Sequence, residues 1–433
     1  MKINRLEIEN FRGIREMEID FDPRLNVFTG VNGAGKSSIV HCLAILISRL
    51  TWRIVSGKNK GRLFTEDDIH LGEKNTKSTI HVEIKNKNYN WTAGKSLLKG
   101  RKPTLTNQSE IKGLVASIHD DLDENFKTSI PLATLYSTNR SAVKVPLRVK
   151  KKHLFDQLAA LEDSLSEERK EADFKLFFEW FRNREDVENE NRRYLNDIFK
   201  PDDFEFPDRQ LSAVRNALGA FMPKFSDLQV RRKPKLRMIV KKNDSEFSIE
   251  QLSDGEKCLI ALVGDIARRL AVANPSLDDP LQGKAVILID EIDLHLHPSW
   301  QRMIVPGLLD TFPNSQFIIT THSPQILGET DARHIFLLYQ DEQNQIVCSK
   351  PSQAMGLTTN GILEELMRPP GSQESLSRNN EVEEKLNKIF MLIDKEQFIA
   401  ARKLINRLKQ EIHGDIPDLV RAESLLAMLE DET

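Results

Sequence analysis

The segment Gly30–Ser37 constrains the fold more than any other part of this chain. Its sequence, GVNGAGKS, fits the pattern G-x-x-x-x-G-K-[ST]. The apolar run 25–29 predicts a short strand before it, and the sequence from Ser37 to about Arg49 predicts a helix after it. Glycines allow backbone N–H groups to close around phosphates, and the helix N-terminus adds positive potential. The segment therefore predicts a phosphate-binding loop within an α/β fold.

The polar side chains of this loop have expected partners on a nucleotide. Lys36 would place its ammonium on the β- and γ-phosphates, and Ser37 would offer its hydroxyl to Mg²⁺. The alternative is a glycine-rich strand–helix turn with an incidental lysine, but the spacing and the flanking elements both match the motif. The predicted nucleotide-binding residues of the loop are Gly30, Val31, Asn32, Gly33, Ala34, Gly35, Lys36, Ser37 and Ser38.

Two acidic residues follow a buried strand in the second half of the chain. The run 285–289 is aliphatic throughout, as buried parallel strands are, and Asp290 and Glu291 come directly after it. Ligands of such sheets bind beyond the carboxyl ends of the strands. We therefore expect Asp290 to hold Mg²⁺, together with Ser37, and Glu291 to orient and deprotonate an attacking water.

The segment 253–257 (SDGEK) precedes an apolar-periodic helix and has two interpretations. Ser253 and Glu256 fit the capping box S-x-x-E, which is a purely structural motif. A cap alone does not need the glycine at position 255, and Gly255 would allow a γ-phosphate to approach the backbone closely. The sequence leaves both interpretations open.

A histidine follows the strand predicted over 316–320. In the sequence Thr321-His322-Ser323-Pro324, Ser323 is a candidate N-cap and Pro324 a candidate first residue of a helix. His322 is either an ordinary loop histidine or a polar contact to the γ-phosphate or the attacking water. Its position at the carboxyl end of a strand favours the second interpretation.

The histidines just after Glu291 raise the question of a metal site. His295 and His297 form a His-x-His pair close to Asp293. A third ligand at a suitable spacing is missing, and Pro298 indicates the start of a helix. We therefore do not predict a separate metal centre here.

Composition and charge limit the class of protein further. Lys and Arg number 62 and Asp and Glu number 65, so the net charge of −3 excludes a uniformly basic nucleic-acid binder. The three cysteines (Cys42, Cys258 and Cys348) are far apart and indicate neither disulfides nor a zinc site. The first residues lack the apolar core of a signal peptide, and the aliphatic runs are too short for a membrane helix. We expect a cytoplasmic protein with no membrane partner.

The pattern along the chain suggests four segments. Residues 1–149 and 225–370 alternate between strands and helices and predict an α/β fold with a mixed or parallel sheet and flanking helices. Residues 150–224 predict a helical insertion, because leucines recur at helical spacing from Leu154 to Leu165. A stripe of phenylalanines at 174–181 is expected to be core. Residues 371–433 predict a linker followed by three amphipathic helices.

Taken together, the motifs resemble the ABC-type ATPase heads of SMC, RecF and related proteins. GVNGAGKSS resembles the Walker A loop, LSDGEK the ABC signature, VILIDE the Walker B strand and THSP the switch-histidine loop. Longer segments, such as LIDEIDLHLHPSWQ and FPNSQFIITTHSPQIL, resemble the AAA-family ATPases of bacterial anti-phage modules. The most similar of these are the PtuA-type ATPases of Septu systems and related retron effectors.

The resemblance implies functions that the residue patterns alone do not. It implies binding and hydrolysis of ATP with Mg²⁺, with Glu291 and His322 as catalytic residues. It adds Arg12 and Asp293 to the nucleotide-binding residues, the latter in the D-loop after Walker B. It also implies that Ser253 and Gly255 complete the ATP site of another subunit, so that the protein forms a head-to-tail dimer or a larger homo-oligomer.

The implied role is a regulatory ATPase subunit in phage defence that controls a separately encoded, HNH-type nuclease. DNA or a reverse-transcriptase and RNA module are further potential partners, and the sequence has no recognisable nuclease motif of its own. The alternative is a RecF-like repair ATPase that binds DNA through basic stretches at 150–152 and 231–242. A non-enzymatic scaffold is disfavoured by the presence of Glu291.

Overall fold

The computed structural model describes residues 1–57, 61–97, 106–138, 156–166, 172–197, 200–201, 204–368 and 375–431. It divides the chain into two compact units, Met1–Gly356 and Leu357–Thr433. The first unit contains both sequence segments that bear the predicted nucleotide-binding motifs. The second unit contains the predicted amphipathic helices.

Strands and helices alternate through most of the first unit. The strands are β1 Lys2–Phe11, β2 Ile14–Asp20, β3 Leu25–Gly30, β4 Asn75–Ile84, β5 Lys87–Ser96, β6 Leu132–Tyr136, β7 Phe225–Arg231, β8 Arg237–Lys242, β9 Ser245–Ser248, β10 Ala285–Ile289, β11 Gln316–Thr320, β12 Ile335–Gln340 and β13 Ile346–Ser349. The helices of both units are α1 Lys36–Ser56, α2 Ser109–Glu124, α3 Ala172–Asn191, α4 Arg209–Phe221, α5 Asp254–Ala273, α6 Pro298–Thr311, α7 Pro324–Gly328, α8 Thr359–Ile362, α9 Asn380–Asp394, α10 Phe398–Ile412 and α11 Pro417–Asp431.

A six-stranded sheet forms the centre of the first unit, in the order β13-β12-β3-β11-β10-β6. Its strands are parallel except for β13, which pairs antiparallel with β12. The strands β3, β6, β10 and β11 are buried along their whole length, which explains why their sequences are mostly apolar. This sheet and its covering helices confirm the predicted α/β fold class.

The N-terminal strands belong to a separate antiparallel sheet, in the order β2-β1-β4-β5. Strand β4 alternates between buried and partly exposed residues, as expected for a sheet with one face toward the core. Helix α1 packs against strands of both sheets, and the indole N–H of Trp91 on β5 donates a hydrogen bond of 2.9 Å to the Leu46 carbonyl oxygen. The helix that follows the phosphate loop is therefore fixed between the two sheets.

Helix α1 is longer than the sequence predicts, because it continues to Ser56. Within the part of the chain that the structure describes, it is the one helix whose length and apolar composition would suffice to cross a membrane. However, 78% of its most apolar window is buried inside the fold. Its apolar character is explained by its place between the two sheets.

The helix predicted from Lys150 through the leucine stripe is wrong for residues 156–166, whereas Leu154 lies outside the described residues. Within 156–166 the chain forms a short 3₁₀ turn at Gln157–Ala160 and no α-helix. Besides local turn bonds, this segment accepts a backbone hydrogen bond from a neighbouring strand: the Leu135 N–H donates to the Ser164 carbonyl oxygen at 2.7 Å. The segment packs along β6 and α5, and this burial explains why leucines occur in it. The helical spacing of these leucines is coincidental.

Helices α3 and α4 do form within the predicted helical segment, and both pack on α5. Phe177, Phe178 and Phe181 are fully buried, which confirms the core assignment for that part of the phenylalanine stripe. The Cβ of a substituted Gly264 would lie 2.7 Å from the Phe177 ring, so α3 and α5 touch closely there. The exact boundaries of the four predicted segments remain predictions.

The second unit has its own apolar core. The three predicted amphipathic helices correspond to α9, α10 and α11, which confirms their existence. Their core consists of buried residues from all three helices: Leu386, Ile389, Ile393, Ala401, Ile405, Leu408, Leu419, Ala422 and Leu426. The stripe expected at Val382, Leu386, Ile389 and Ile393 thus faces the other two helices of the unit.

Candidate nucleotide site

The strand order brings the predicted site residues to one edge of the central sheet. The strands β3, β11 and β10 are adjacent and parallel, so their carboxyl ends meet at the same edge. The phosphate loop follows β3, Asp290 and Glu291 follow β10, and Thr321 and His322 follow β11, which lies between the other two. Segments far apart in sequence are therefore neighbours in the fold.

The phosphate loop has the backbone that its glycines allow. Gly30, Gly33 and Gly35 all have positive φ angles, of 149°, 81° and 90°. A Cβ on Gly35 would lie 3.2 Å from the side chain of Ile346 on β13, whereas one on Gly33 would meet nothing within 4 Å. The loop therefore packs against the Ile346 side chain at Gly35, whereas the space beside Gly33 is open.

Lys36 lies folded back over this loop. Its Nζ donates hydrogen bonds of 2.9 Å to the carbonyl oxygens of Gly30 and Val31. Burial lowers the pKa of Lys36, and the carboxylates of Glu291, Asp290 and Asp293 oppose that lowering, Glu291 most strongly. The ammonium thus lies in the field of all three acids, at the mouth of the loop.

Asp290 and Ser37 form a donor set that fits Mg²⁺. The Ser37 hydroxyl donates to Asp290 Oδ1 at 3.1 Å, and the Thr320 hydroxyl donates to the same oxygen at 2.6 Å. Carboxylate and hydroxyl oxygens are the ligands Mg²⁺ takes from proteins when substrate phosphates supply further oxygens. The described residues contain no cluster of three or more His, Cys, Asp or Glu side chains that could hold a metal alone. The arrangement therefore fits a metal shared with a nucleotide.

Glu291 has an unusual backbone conformation. Its φ angle is +48°, in the left-handed region that non-glycine residues seldom adopt. Its N–H donates a hydrogen bond of 2.7 Å to the Thr320 hydroxyl, and the Ile292 N–H donates to the Thr320 carbonyl oxygen at 3.0 Å. Two bonds to the same neighbouring residue thus hold the chain where it leaves β10.

Asp293 joins the segment after β10 to the loop of the predicted switch histidine. Its Oδ1 accepts hydrogen bonds from the Thr321 hydroxyl at 2.6 Å and from the His322 N–H at 3.2 Å. Burial lowers the pKa of His322, and the Lys36 charge adds to this, while Asp293, Glu291 and Asp290 oppose it. The lowered pKa favours a neutral imidazole at pH 7, able to accept or donate a hydrogen bond.

Arg12 lies at the end of β1 and is held by side chains of other elements. Its Nε donates to Asp68 Oδ1 at 2.8 Å, and one terminal nitrogen lies 2.9 Å from His41 Nδ1. His41 is one turn after Ser37 on α1. The structure therefore places Arg12 beside the first turns of α1, and its contact with nucleotide remains a prediction.

The predicted capping box at the start of α5 is present. The Ser253 hydroxyl accepts from the Glu256 N–H at 3.4 Å, and Glu256 Oε2 accepts from the Ser253 N–H at 3.1 Å. A Cβ on Gly255 would lie 2.8 Å from the His295 carbonyl oxygen of the same chain. A larger residue at position 255 would therefore clash within its own subunit, independently of any contact with another subunit.

Other candidate residues take structural roles. His297 caps α6, with its Nδ1 accepting from the Ser299 N–H, as the proline at 298 suggests. The basic residues of 231–242 are mostly ion-paired: Arg231 with Glu246, Arg232 with Asp186, Lys241 with Asp227 and Lys242 with Glu256. The basic residues at 150–152 lie outside the described part of the chain. These ion pairs offset part of the positive charge on which the DNA-binding alternative depends, and that alternative remains a prediction.

The sequence patterns assign no role to Thr320, the last residue of β11, or to Thr321, which follows it. Thr320 bonds to Asp290 and Glu291, and Thr321 bonds to Asp293, so each braces acidic residues that follow β10. Thr320 directly follows an aliphatic run, as Asp290 does, and Thr321 is the next residue. That shared position was the one available indication.

The glycine loop between β3 and α1, the carboxylate at the end of β10 and the Ser37 hydroxyl beside it define a P-loop nucleotide-binding protein. A family model described as "AAA domain, putative AbiEii toxin, Type IV TA system" matches residues 25–328. The chain belongs to this AAA-domain family.

Relatives match well beyond this domain. The "Retron Ec83 probable ATPase" of Escherichia coli is 28% identical over 97% of this chain and 85% of its own length. The "Retron Vc95 probable ATPase" of Vibrio cholerae is 32% identical over 78% of this chain and 73% of its own length. The "Septu protein PtuA" of Bacillus thuringiensis is 23% identical over 90% of this chain and 93% of its own length. The predicted resemblance to retron and Septu ATPases is thus confirmed.

Among solved structures, an SMC head domain with an extended coiled coil, bound to a ScpA domain derived from Pyrococcus furiosus, is 17% identical. It covers 81% of this chain and 96% of its own, with a TM-score of 0.45.

Proposed function

We propose that this protein binds ATP with Mg²⁺ and hydrolyses it, as the regulatory ATPase of an anti-phage defence complex. The observation that supports hydrolysis best is the convergence of Lys36, Asp290 and Glu291 at one sheet edge, where they follow β3 and β10 on either side of β11. Relatives named as retron ATPases and Septu PtuA support the defence context.

In this proposal, the residues that follow β3, β10 and β11 have separate roles in binding and hydrolysis. Backbone N–H groups of the phosphate loop and Lys36 bind the phosphates, and Ser37 and Asp290 hold Mg²⁺. The metal, when bound, neutralises the charge on the phosphate oxygens. Glu291 accepts a proton from the attacking water, and the neutral His322 fixes the water or the γ-phosphate by a hydrogen bond.

Oligomerisation through the nucleotide site is the second part of the proposal. Ser253 is exposed at the N-terminus of α5, where backbone N–H groups and the helix dipole favour an anion. One copy of each motif per chain suits a head-to-tail dimer, in which both motifs are used twice. The ATP bound by one subunit would then meet Ser253 and Gly255 of the other.

The third part concerns a nuclease encoded separately. The second unit is compact, has its own core formed by α9, α10 and α11, and is joined to the ATPase unit in one chain. It exposes apolar side chains on each helix, among them Met391, Ile399 and Met428. We propose that it assists assembly or docks the nuclease, in the cytoplasm. DNA and a reverse-transcriptase and RNA module are further partners to be tested.

The proposal is tested with the intact protein and any nuclease encoded by a neighbouring gene. We expect the full chain to hydrolyse ATP, to co-purify with the nuclease and to protect cells from phage only in its presence. A chain ending at Gly356 should keep the ATP site and lose the partner. Protection by the full chain alone would refute control of a separate nuclease, and an intact partner complex with the shortened chain would refute docking through the second unit.

A further inference from the structure

Thr320 connects the two acidic residues on which the proposed reaction depends. It is the last residue of β11, and its side chain is fully buried. Its hydroxyl donates to Asp290 Oδ1 at 2.6 Å and accepts from the Glu291 N–H at 2.7 Å. A threonine hydroxyl has one proton to donate, so its orientation is fixed by these two partners together.

The bond to Asp290 orients that carboxylate. The oxygen that accepts from Thr320 also accepts from Ser37, so two hydroxyls from different elements hold the same atom. Ser37 comes from α1 and Thr320 from the central sheet. The Asp290 side chain therefore cannot rotate without breaking both bonds.

The hydrogen bond between the Glu291 N–H and the Thr320 hydroxyl restrains the backbone of Glu291. At a φ angle of +48°, Glu291 is in a conformation that persists only where the surroundings impose it. The Thr320 hydroxyl binds the N–H of that residue, and the Thr320 carbonyl oxygen binds the next N–H. Together they fix the turn from which the Glu291 side chain leaves.

From this geometry we infer that Thr320 is a positioning residue of the ATPase centre, which sets the orientation of Asp290 and the backbone conformation of Glu291 through one hydroxyl. This inference rests on the proposed function. A serine at position 320 can make both hydrogen bonds. A valine has nearly the same shape and makes neither.

The test compares Thr320→Val, Thr320→Ser and Thr134→Val in the full chain. Thr134 is a suitable control because it is buried on β6 of the same sheet and its hydroxyl bonds to the Ser164 carbonyl oxygen, away from the site. For Thr320→Val we expect kcat to fall by ~100-fold, the loss typical of a small misplacement of reacting groups. The ATP dissociation constant measured without Mg²⁺ should change less than about twofold, because Lys36 and the loop are untouched.

Two further readouts separate positioning from a merely structural role. The Mg²⁺ concentration for half-maximal turnover should rise in Thr320→Val, since the orientation of Asp290 is lost, whereas Thr320→Ser should keep both kcat and the Mg²⁺ dependence. Thr134→Val should lower the melting temperature without changing either. If the serine variant loses activity as the valine variant does, or if both lose only thermal stability, the hydroxyl does not position the site.

The outcome also distinguishes this inference from the proposed function. If Thr320→Val turns over like wild type while Glu291→Gln is inactive, only the role of Thr320 is refuted. If neither wild type nor any variant hydrolyses ATP, the proposed function fails, and the inference fails with it.

Discussion

The Tyr136 hydroxyl donates a hydrogen bond of 2.9 Å to Asp265 Oδ2, and both side chains are buried. Tyr136 ends β6, and its carbonyl oxygen accepts the Asp290 N–H at 2.9 Å. Asp265 lies in α5, the helix that begins at the candidate signature segment. Tyr136 thus bonds both to α5 and to Asp290, the candidate Mg²⁺ ligand that follows β10.

Asp265 also neutralises two arginines in the interior, which leads to a prediction about stability. Arg268 and Arg269 are fully buried and both donate to its carboxylate. Asp265→Asn would leave two buried cations without this counter-charge and should cost ~3–5 kcal/mol of unfolding free energy. Tyr136→Phe removes one neutral donor and should cost only about 1 kcal/mol. Equal midpoints of chemical unfolding for the two variants would contradict this account.

Lys36→Ala should abolish ATP binding while the protein remains folded. The described hydrogen bonds of the Lys36 ammonium are to two loop carbonyls, so its removal leaves the core unchanged. Calorimetry would measure binding, and Lys388→Ala, at an exposed position of α9, is the control. Wild-type affinity in the Lys36 variant would show that the loop does not bind phosphate as assigned.

Glu291→Gln should keep ATP bound and reduce turnover by roughly 100-fold or more. The amide retains the size of the side chain and can hydrogen-bond a water, but it cannot accept a proton. Phosphate release under single-turnover conditions measures the effect, with Glu342→Gln, an exposed position near β13, as the control. Unchanged release would exclude Glu291 as the base.

The motifs at strand ends could be predicted because their chemistry depends on local sequence. The phosphate loop, the strand before Asp290 and the cap at Ser253 each need only a few neighbouring residues. The order of the sheet is different: that β11 lies between β3 and β10 depends on pairing across almost 300 residues, and no local pattern encodes it. For that reason the sequence alone does not identify Thr320 as a partner of Asp290 and Glu291.

The leucine stripe before α3 failed as a predictor for a related reason. Apolar spacing reports which side chains are buried, but not whether the backbone satisfies its own hydrogen bonds. In 156–166 the carbonyl oxygens of Ala160 and Ser164 accept from Arg269 and Leu135, so tertiary partners replace helical ones. An irregular buried segment can therefore show the same spacing of apolar residues as a helix.

The second unit should lose stability at low pH because Glu364 becomes protonated. Its Oε1 accepts from the Ser375 hydroxyl and from the N–H groups of Leu376 and Ser377, at 2.8–2.9 Å. Burial alone would raise the pKa of Glu364, but these bonds and the Ser377 hydroxyl lower it to about 2. Because the folded pKa lies below the ordinary value of 4.5, the stabilisation is present above pH 4.5 and is lost as the pH falls toward 2.

Hydrogen exchange of the same amides, followed in wild type from pH 7 toward pH 2 and in variants at pH 7, would measure whether the Glu364 carboxylate holds this segment. In Glu364→Ala the amides of Leu376 and Ser377 should exchange faster at pH 7 than in wild type, since their acceptor is gone. Glu365→Ala, the adjacent acid, is the control. Equal protection of both amides in the Glu364 variant would show that the carboxylate does not hold this segment.

A Cβ at position 255 would lie 2.8 Å from the His295 carbonyl oxygen, and this limits how the action of the signature segment in trans can be tested. Any larger residue at position 255 would disturb the chain after Walker B in its own subunit, so its effect could not be attributed to a partner. Ser253 is the better site, because Asn and Asp both remain good N-caps there. Ser253→Asp adds a negative charge beside the expected phosphate, and Ser253→Asn is the neutral control.

Mixing Lys36→Ala with Ser253→Asp should therefore restore ATPase activity that neither variant has alone. In a head-to-tail dimer the mixed species has one site with both defects and one intact site, so random assembly recovers about a quarter of the wild-type sites. Ser253→Asn should be active by itself, which would separate the charge from the loss of serine. Mass measurement must verify the mixed assembly, and phosphate release then reports the intact sites. No recovery in a verified mixture would mean that each chain uses its own Ser253, or none.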